Sequence, residues 1–179
     1  MKFDIHIYNS LNIELKGIWN KFELESSYSA FQSFSWVEAW YDNVGSVIYD
    51  VVLQVVVVKK EGVIYGIFPL CIRKFKRVNI LEWIGGINSD YLGPLLCDDW
   101  KNSNINFLKL WAKINIKIQN YDVMHLVKQT ANIGNIDNPF VSEFQSQHNR
   151  NTYQALLEDT WNDFHNKNIK HKIINDIRR

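Results

Sequence analysis

The run Val51–Val58 constrains the fold of this chain more than any other segment. Seven of its eight residues are apolar, Gln54 is the exception, and the run stops at Lys59. A helix that crosses a bilayer needs about 20 apolar residues, so this run is too short to span a membrane. Its valines favour a strand, Asp50–Lys59. Because that strand is apolar on both faces, it is expected at the centre of a sheet that is covered on both sides.

Apolar periodicity and turn residues predict the remaining elements. Glu61–Gly62 forms the turn that pairs the first long strand with a second. Ser33 or Ser35 is expected to cap the second helix, with Glu38 completing a capping box. Strands are predicted at Phe3–Tyr8, Asp50–Lys59, Val63–Phe75, Val78–Ile84, Leu95–Cys97, Tyr121–Val127 and Tyr153–Leu157. The other helices are predicted at Leu11–Glu25, at Ser103–Ile118, at Asn138–Gln147, which Pro139 opens, and at Thr160–Arg179, which Thr160 caps.

The order of these elements predicts an α+β fold. Its sheet is expected to be mixed but mainly antiparallel, with about six or seven strands flanked by helices. The helix Ser103–Ile118 is expected to face the core with Phe107, Leu108, Trp111 and either Ile114 or Ile118.

Composition and charge exclude several classes of protein. The chain has 179 residues, and its net charge of +1 provides no overall field for nucleic acid or an anionic membrane. Cys71 and Cys97 are too few for a disulfide framework and suit a reducing compartment. Asp4 and His6 interrupt the start of the chain, which therefore does not resemble a secretory signal. We expect a cytoplasmic protein with no transmembrane segment and no nucleic-acid partner.

Positive charge is concentrated in two segments. Residues 59–77 carry six basic residues and one acidic residue, and residues 167–179 carry five basic residues and one acidic residue. Such clusters usually coat a solvated hairpin or helix. A Lys/Arg cluster also stabilises an acidic partner or a nucleotide phosphate, so both interpretations stay open on sequence alone. Neither interleaved aromatic residues nor a recognition helix supports sequence-specific binding of nucleic acid.

Common catalytic and ligand motifs are absent from the sequence. The five histidines show no paired-ligand spacing, so no metal site is predicted. Neither a nucleophile elbow nor a Walker or dinucleotide glycine motif occurs. The segment Gly85–Pro94 instead carries Ser89, Asp90 and Tyr91 beside a strand end, where polar side chains can converge on a small molecule. The alternative is a structural turn capped by Asp90.

Aromatic residues are concentrated before that segment, at Trp19, Phe22, Phe31, Phe34, Trp36, Trp40 and Tyr41. These rings could line a ligand groove between the two early helices, or they could form core and inter-helix packing. Gln32 and Ser33 are the polar residues of this group, and they could cap a helix or contact a substrate.

Three separate motifs together resemble one protein family. They are Phe31-Gln32-Ser33 with Trp36 and Trp40, the hairpin end Gly66-Ile67-Phe68-Pro69-Leu70, and Ser89-Asp90-Tyr91-Leu92-Gly93-Pro94-Leu95. Their order and spacing resemble the CelD/BcsL family of predicted acetyltransferases, which was named from cellulose biosynthesis and belongs to the GNAT superfamily. That family is distantly similar to the FemAB-type aminoacyltransferases. The resemblance implies a GNAT-like fold and transfer of an acyl group from acetyl-CoA or another acyl-CoA to an amine or hydroxyl.

The resemblance also implies a division of labour between two domains. Residues 1–158 would form the N-terminal, acceptor-side GNAT-like domain, and residues 159–179 a helix that leads to a missing second GNAT domain. The second domain would bind most of the acyl donor, since the Gln/Arg-x-x-Gly-x-Gly/Ala pyrophosphate loop is absent here. The acceptor would be a small molecule or saccharide related to the cell envelope or to polysaccharide.

Seven site residues follow from the resemblance. Asp90 would orient the acceptor or remove its proton, and Tyr91 would donate a neighbouring hydrogen bond. The substrate-binding residues would be Gln32, Ser33, Trp36, Ser89 and Gly93. Two alternatives remain: a self-contained small acyltransferase, and a non-catalytic GNAT-like domain that binds a saccharide precursor or a partner protein.

Overall fold

A computed structural model describes residues 3–144, 146–147 and 159–168. The chain divides into two compact units, residues 1–146 and residues 147–179. The strands are β1 (Asp4–Tyr8), β2 (Ser26–Ser27), β3 (Val52–Leu53), β4 (Val55–Lys60), β5 (Val63–Phe68), β6 (Leu70–Phe75), β7 (Val78–Trp83), β8 (Leu95–Cys97), β9 (Val123–Met124), β10 (Asn132–Ile133) and β11 (Ile136–Asp137). The helices are α1 (Ile13–Glu23), α2 (Phe34–Trp40), α3 (Phe107–Lys117), α4 (Pro139–Glu143) and α5 (Trp161–Asn168).

The strands of the first unit form two main sheets. One is antiparallel, with the order β1-β4-β5-β8-β2. The other has the order β3-β6-β7-β9, in which β7 and β9 are parallel. The pair β10-β11 stands apart from both. The predicted α+β class and the mainly antiparallel pairing are confirmed, but the prediction of a single sheet of six or seven strands is wrong. A GNAT-like arrangement of these elements stays a prediction.

One long hairpin, β3 and β4 followed by β5 and β6, contributes strands to both sheets. Leu53 lies opposite Cys71 in one sheet and Val56 lies opposite Phe68 in the other, so the register is the same on both sides of the break. Between them the Gln54 N–H donates to the Leu70 carbonyl at 2.8 Å. Proline has no N–H for a strand ladder, which explains why the strand is interrupted at Pro69. The predicted pairing of the two long strands is therefore confirmed, although the pair belongs to two sheets.

Strand β4 is an inner strand of the larger sheet, between β1 and β5, and both of its faces are covered. Val56 and Val58 pack into one apolar core, and Val55 and Val57 pack into a second core on the opposite face. All four side chains are fully buried, and each burial contributes about 2 kcal/mol. The predicted inner position with both faces covered is confirmed for β4 but not for β3, which forms an edge of the other sheet and leaves Val52 54% exposed.

Each core is completed by helices. The second core takes its helical part from α1 and α2, through Leu15, Trp19, Phe22, Phe34, Val37 and Trp40. The first core contains α3 and α4, with Phe140 packed edge-on against Trp83, Phe107 and Trp111. Helix α3 starts after the cap Asn106 and buries Leu110, so the prediction that Leu108 faces the core is wrong. Residues 107, 110, 111, 114 and 118 form the buried stripe, and position 108 falls outside it.

Helix caps agree with the sequence in three places. Ser33 caps α2 by accepting the Trp36 N–H at 3.2 Å, but Glu38 does not complete a capping box and bonds Lys16 instead. Pro139 opens α4, as predicted. Thr160 caps α5 by accepting the Asp163 N–H at 3.2 Å.

Three other predictions have different outcomes. The strand predicted at Tyr121–Val127 is limited to Val123–Met124. The predicted strand Tyr153–Leu157 and residues 169–179 of the predicted last helix lie outside the described residues. The predicted domain boundary between residues 158 and 159 stays a prediction.

Candidate functional site

The segment Gly85–Leu95 is a shaped loop that leads from β7 into β8. Gly85 has a φ of 113°, and a Cβ at this position would overlap the Ser89 hydroxyl. Gly93 has a φ of 151°, and a Cβ there would lie 3.6 Å from the Gln32 amide nitrogen. Both glycines therefore adopt backbone conformations that L side chains rarely adopt. We call this segment the glycine loop.

Two indole groups of helix α2 hold the first half of the glycine loop. The Trp36 Nε1–H donates to the Ser89 hydroxyl at 3.0 Å, and the Trp40 Nε1–H donates to the Asn88 side-chain oxygen at 3.1 Å. Ser89 is fully buried. The aromatic residues of α2 therefore combine core packing with hydrogen bonds to the loop, which neither sequence interpretation anticipated.

Gln32 holds the second half of the glycine loop. Its side chain is only 6% exposed, and its Nε2 donates to the Pro94 carbonyl at 3.0 Å. Its Oε1 accepts the Ser29 N–H at 2.7 Å. Gln32 therefore connects Ser29, which precedes α2, to Pro94 of the glycine loop. Each of the two bonds also satisfies a main-chain polar group.

Lys128 holds the glycine loop from the other side. Its ammonium donates to the carbonyls of Gly86, Ile87 and Ser89 at 3.3, 3.1 and 2.6 Å. The Lys128 carbonyl in turn accepts the Leu92 N–H at 3.0 Å. Sequence reasoning missed Lys128, because its partners lie about 40 residues earlier and no local spacing marks the contact.

Three carboxamide side chains surround Gly93. They are Gln32, Gln129 and Asn138, within 4.0 Å of the position of a Cβ on this glycine. Asn138 is fully buried, donates to the Thr130 carbonyl at 3.0 Å and accepts the Phe140 N–H at 3.0 Å. Its amide nitrogen lies 3.3 Å from the Gln129 side-chain oxygen. Gly93 is therefore surrounded by polar side chains that already hydrogen-bond to the main chain or to each other.

The solvent-facing side of the glycine loop carries different chemistry. Asp90 is exposed, and the rings of Phe31, Trp36 and Tyr91 are half-buried. Phe31 packs edge-on against Trp36 with 5.1 Å between ring centroids, and its centroid lies 6.2 Å from that of Tyr91. Within the described residues, neither the Asp90 carboxylate nor the Tyr91 hydroxyl has a hydrogen-bond partner. We call these four residues the Asp90 surface.

The seven residues predicted from sequence thus divide into three groups. Gln32, Trp36, Ser89 and Gly93 meet at the glycine loop. Ser33 belongs to the cap of α2 and donates its hydroxyl to the Ala30 carbonyl at 2.8 Å. Asp90 and Tyr91 lie on the same loop but face away from these bonds. The loop accordingly offers a fixed interior and an open acidic and aromatic exterior.

The glycine loop does not suit a cofactor pyrophosphate. The turn Gly86–Asn88 presents carbonyl oxygens to the Lys128 ammonium, whereas a phosphate site presents N–H groups at a helix start. An acyl-CoA therefore does not fit this loop through its phosphates.

Neither the two cysteines nor any cluster of metal-ligand residues within the described part of the chain forms a second site. Burial raises the pKa of the Cys71 thiol well above its ordinary value and also raises the pKa of the Cys97 thiol, which keeps both thiols protonated at neutral pH. The described residues contain no group of three or more His, Cys, Asp or Glu placed to hold a metal ion. Among the described helices, none has the length and apolar character needed to cross a membrane.

Comparison with protein families, with curated proteins and with solved structures finds no match to this chain. The chemistry of the site therefore has to be inferred from its own residues.

Proposed function

We propose that this chain forms the acceptor-binding side of a GNAT-superfamily acyltransferase that resembles the CelD/BcsL proteins. The acceptor would be an amine or hydroxyl of a saccharide related to the cell envelope. The acyl donor would be held by the second GNAT domain that the resemblance implies.

The observation that carries the proposal is the meeting of three distant motifs. The Gln32 amide bonds Pro94, the Trp36 indole bonds Ser89, and Ile67 of the hairpin motif pairs with Leu95. The residues that carry the resemblance are therefore one contiguous structural unit. Its open side is the Asp90 surface.

The Asp90 surface has the chemistry that a saccharide acceptor requires. Aromatic rings bind the apolar faces of a sugar, while a carboxylate accepts hydrogen bonds from its hydroxyl or amino groups. Asp90 would orient the attacking nitrogen or oxygen and take its proton as the acyl bond forms. The hydroxyl of Tyr91 would hold a neighbouring group of the acceptor.

The interior of the glycine loop supports that role. Catalysis depends on holding the reacting groups in one geometry, and a loop that moved freely would lose this advantage. Side chains from two separate segments bond the loop that carries Asp90: Gln32 and Trp36 from α2 and the residues before it, and Lys128. The acceptor would therefore meet Asp90 on a main chain that is already held in place.

A matched pair of variants tests the proposal. Glucosamine oligosaccharides carry both amines and hydroxyls, and calorimetry would measure their binding to the whole chain. Asp90→Asn is expected to weaken binding by at least about tenfold, whereas Asp98→Asn, an exposed aspartate beyond β8, leaves it unchanged. Equal binding by the Asp90→Asn and native chains would remove the role of Asp90.

Acyl transfer is the second readout. With a protein that also contains the second domain, release of free coenzyme A from acetyl-CoA in the presence of the oligosaccharide would measure turnover. Asp90→Asn should lower turnover at least about tenfold. Sugar binding without any release of coenzyme A would instead identify a non-catalytic saccharide-binding domain.

A further inference from the structure

The tip of the β6–β7 hairpin exposes apolar side chains. Phe75 and Val78 lie opposite each other next to the two-residue turn Lys76–Arg77. Their exposed fractions are 53% and 37%. Neither side chain takes part in the two apolar cores. The hairpin therefore ends in a small apolar contact surface, which we call the hairpin tip.

Cations surround this apolar pair. Lys74, Lys76 and Arg77 are exposed and form no ion pair within the described residues. Arg73 differs, because its guanidinium makes two bonds to Glu82 at 2.8 and 3.1 Å. These bonds raise the pKa of Arg73 above its usual range. Three cations are thus free to contact an anionic partner.

Acidic groups near the hairpin tip are already engaged. Residues 73–81 contain no acidic side chain, and Glu82 is held by Arg73. On the adjoining segment, the Asp122 carboxylate accepts the Asn79 N–H at 2.7 Å. Glu82 is neutralised by Arg73, whereas Asp122 keeps its charge because its partner is a neutral N–H, and the three exposed cations of the tip outnumber it.

The structure divides the basic segment seen in the sequence. Lys59 and Lys60 lie by the β4–β5 turn. The hairpin tip lies at the other end of the two consecutive strands β5 and β6. At the first turn Lys60 covers the Tyr65 ring. Residues 59–77 consequently form two separate basic surfaces, and the second one combines charge with exposed apolar side chains.

We propose that the hairpin tip binds the surface of an anionic lipid bilayer. Phe75 and Val78 enter the interfacial layer, and Lys74, Lys76 and Arg77 contact the headgroups. A bilayer surface is the partner that rewards apolar and cationic groups side by side. The contact is weak and reversible, since only two apolar side chains and three cations contribute.

Nucleic acid fits the hairpin tip less well. The Arg73 guanidinium and the Lys76 ammonium lie over the Phe75 ring, 5.7 and 5.6 Å from its centroid. A base would have to displace a cation in order to stack on this ring. Val78 would remain exposed beside the phosphates, whereas a bilayer interface accommodates it.

Vesicle binding tests the proposal. The full chain should sediment with phosphatidylcholine vesicles that contain phosphatidylserine and stay in solution with phosphatidylcholine alone. Replacing Lys74, Lys76 and Arg77 by Gln should weaken binding about a hundredfold, at roughly fivefold per cation. Phe75→Ser should weaken it about tenfold. The control variant, Lys59→Gln with Lys60→Gln, should bind like the native chain.

Depth of insertion provides a second measurement. Phe75→Trp places an indole at the hairpin tip, and lipids brominated on their acyl chains should quench its fluorescence. Val63→Trp is the matched control at the opposite turn, where an exposed valine also adjoins lysines, and it should not be quenched. Asp90→Asn should bind vesicles like the native chain, which separates this test from that of the proposed function.

Three results would overturn the lipid assignment. One is equal sedimentation of the native and Phe75→Ser chains. Another is equal quenching at positions 75 and 63. The third is binding of a single-stranded oligonucleotide by the native chain and the Phe75→Ser variant alike, with no binding to vesicles, which would assign the cations to a phosphate backbone.

Discussion

The glycine loop and the hairpin tip adjoin the two ends of β7, but they are held in different ways. Side chains from two distant segments bond the backbone of the glycine loop. The β6–β7 ladder closes the hairpin tip, and Phe75 and Val78 remain exposed. Long-range bonds fix the main chain of the glycine loop in one geometry. At the hairpin tip, local strand pairing leaves the side chains free to adapt to a partner.

This difference matches the two proposed roles. An acceptor site needs its carboxylate on a main chain that is held in position. Asp90 lies on the glycine loop, whose main chain is held by distant side chains. A membrane contact needs exposed side chains that can change rotamer without cost to the fold. Substitutions should therefore destabilise the glycine loop strongly and the hairpin tip very little.

The largest loss of stability is expected at Gly85. Gly85→Ala would place a methyl group against the buried Ser89 hydroxyl at a φ of 113°, and we expect the free energy of unfolding to fall by about 3 kcal/mol. Urea denaturation followed by tryptophan fluorescence measures this change. Gly17→Ala is the control, because it lies in open space on α1 and should stabilise the chain by about 1 kcal/mol. Equal stability of the Gly85→Ala and native chains would show that the loop is not confined as described.

A smaller loss is expected at Gln32. Gln32→Leu keeps most of the side-chain volume but removes the partners of the Ser29 N–H and the Pro94 carbonyl. Unfolding free energy should fall by about 2 kcal/mol, because buried main-chain groups would lose their hydrogen bonds. Gln119→Leu, at an exposed glutamine, should change stability by less than about 0.5 kcal/mol. If the two variants were equally stable, Gln32 would not be a link between α2 and the loop.

Loss of the Lys128 ammonium should open the glycine loop locally. Lys128→Met removes the donor to three carbonyls, but water can replace it on the exposed side, so the expected loss of stability is about 1 kcal/mol. Amide exchange of Leu92, whose N–H bonds the Lys128 carbonyl, should become faster. Lys109→Met on α3 should leave this exchange rate unchanged. An unaltered exchange rate of the Leu92 amide in the Lys128→Met chain would show that the Lys128 ammonium does not hold the glycine loop.

The smallest effect on stability is expected at the hairpin tip. Phe75→Ser removes an exposed ring, so the free energy of unfolding should change by less than about 0.5 kcal/mol. Thermal unfolding monitored by circular dichroism provides the comparison with the native chain. A loss as large as that of Gln32→Leu would mean that the tip supports the fold and is not a free contact surface.

Local signals in the sequence predicted much of the fold. The turn at Glu61–Gly62, strand Leu95–Cys97 and the first turn of α4 at Pro139 depend on neighbouring residues and are confirmed. The continuous apolar run that buries both faces of β4 is an equally local signal. The division into two sheets was missed, although Pro69 within a predicted strand was a visible signal.

The interior of the candidate site could be predicted only in part. Gln32, Trp36 and Ser89 stand out within their motifs. The bonds of Gln32 and Trp36 to the glycine loop depend on tertiary packing, which the sequence does not reveal. Lys128 could not be found, because no spacing rule connects a lysine to carbonyls about 40 residues away. Leu108 and Leu110 flank the stripe of Phe107, Trp111 and Ile114 at similar angles on opposite sides, so the helical period does not decide between them, and the structure buries Leu110.

Nuclear magnetic resonance titration with glucosamine oligosaccharides tests the central proposal most directly. We predict that the backbone amides of Asp90 and Tyr91 and the Trp36 indole N–H shift together as the sugar is added, while the amides of the hairpin tip do not. The Asp90→Asn chain should show these shifts only at concentrations about tenfold higher. Shifts that avoid the Asp90 surface, or the absence of any shift, would contradict the assignment of this surface to an acceptor.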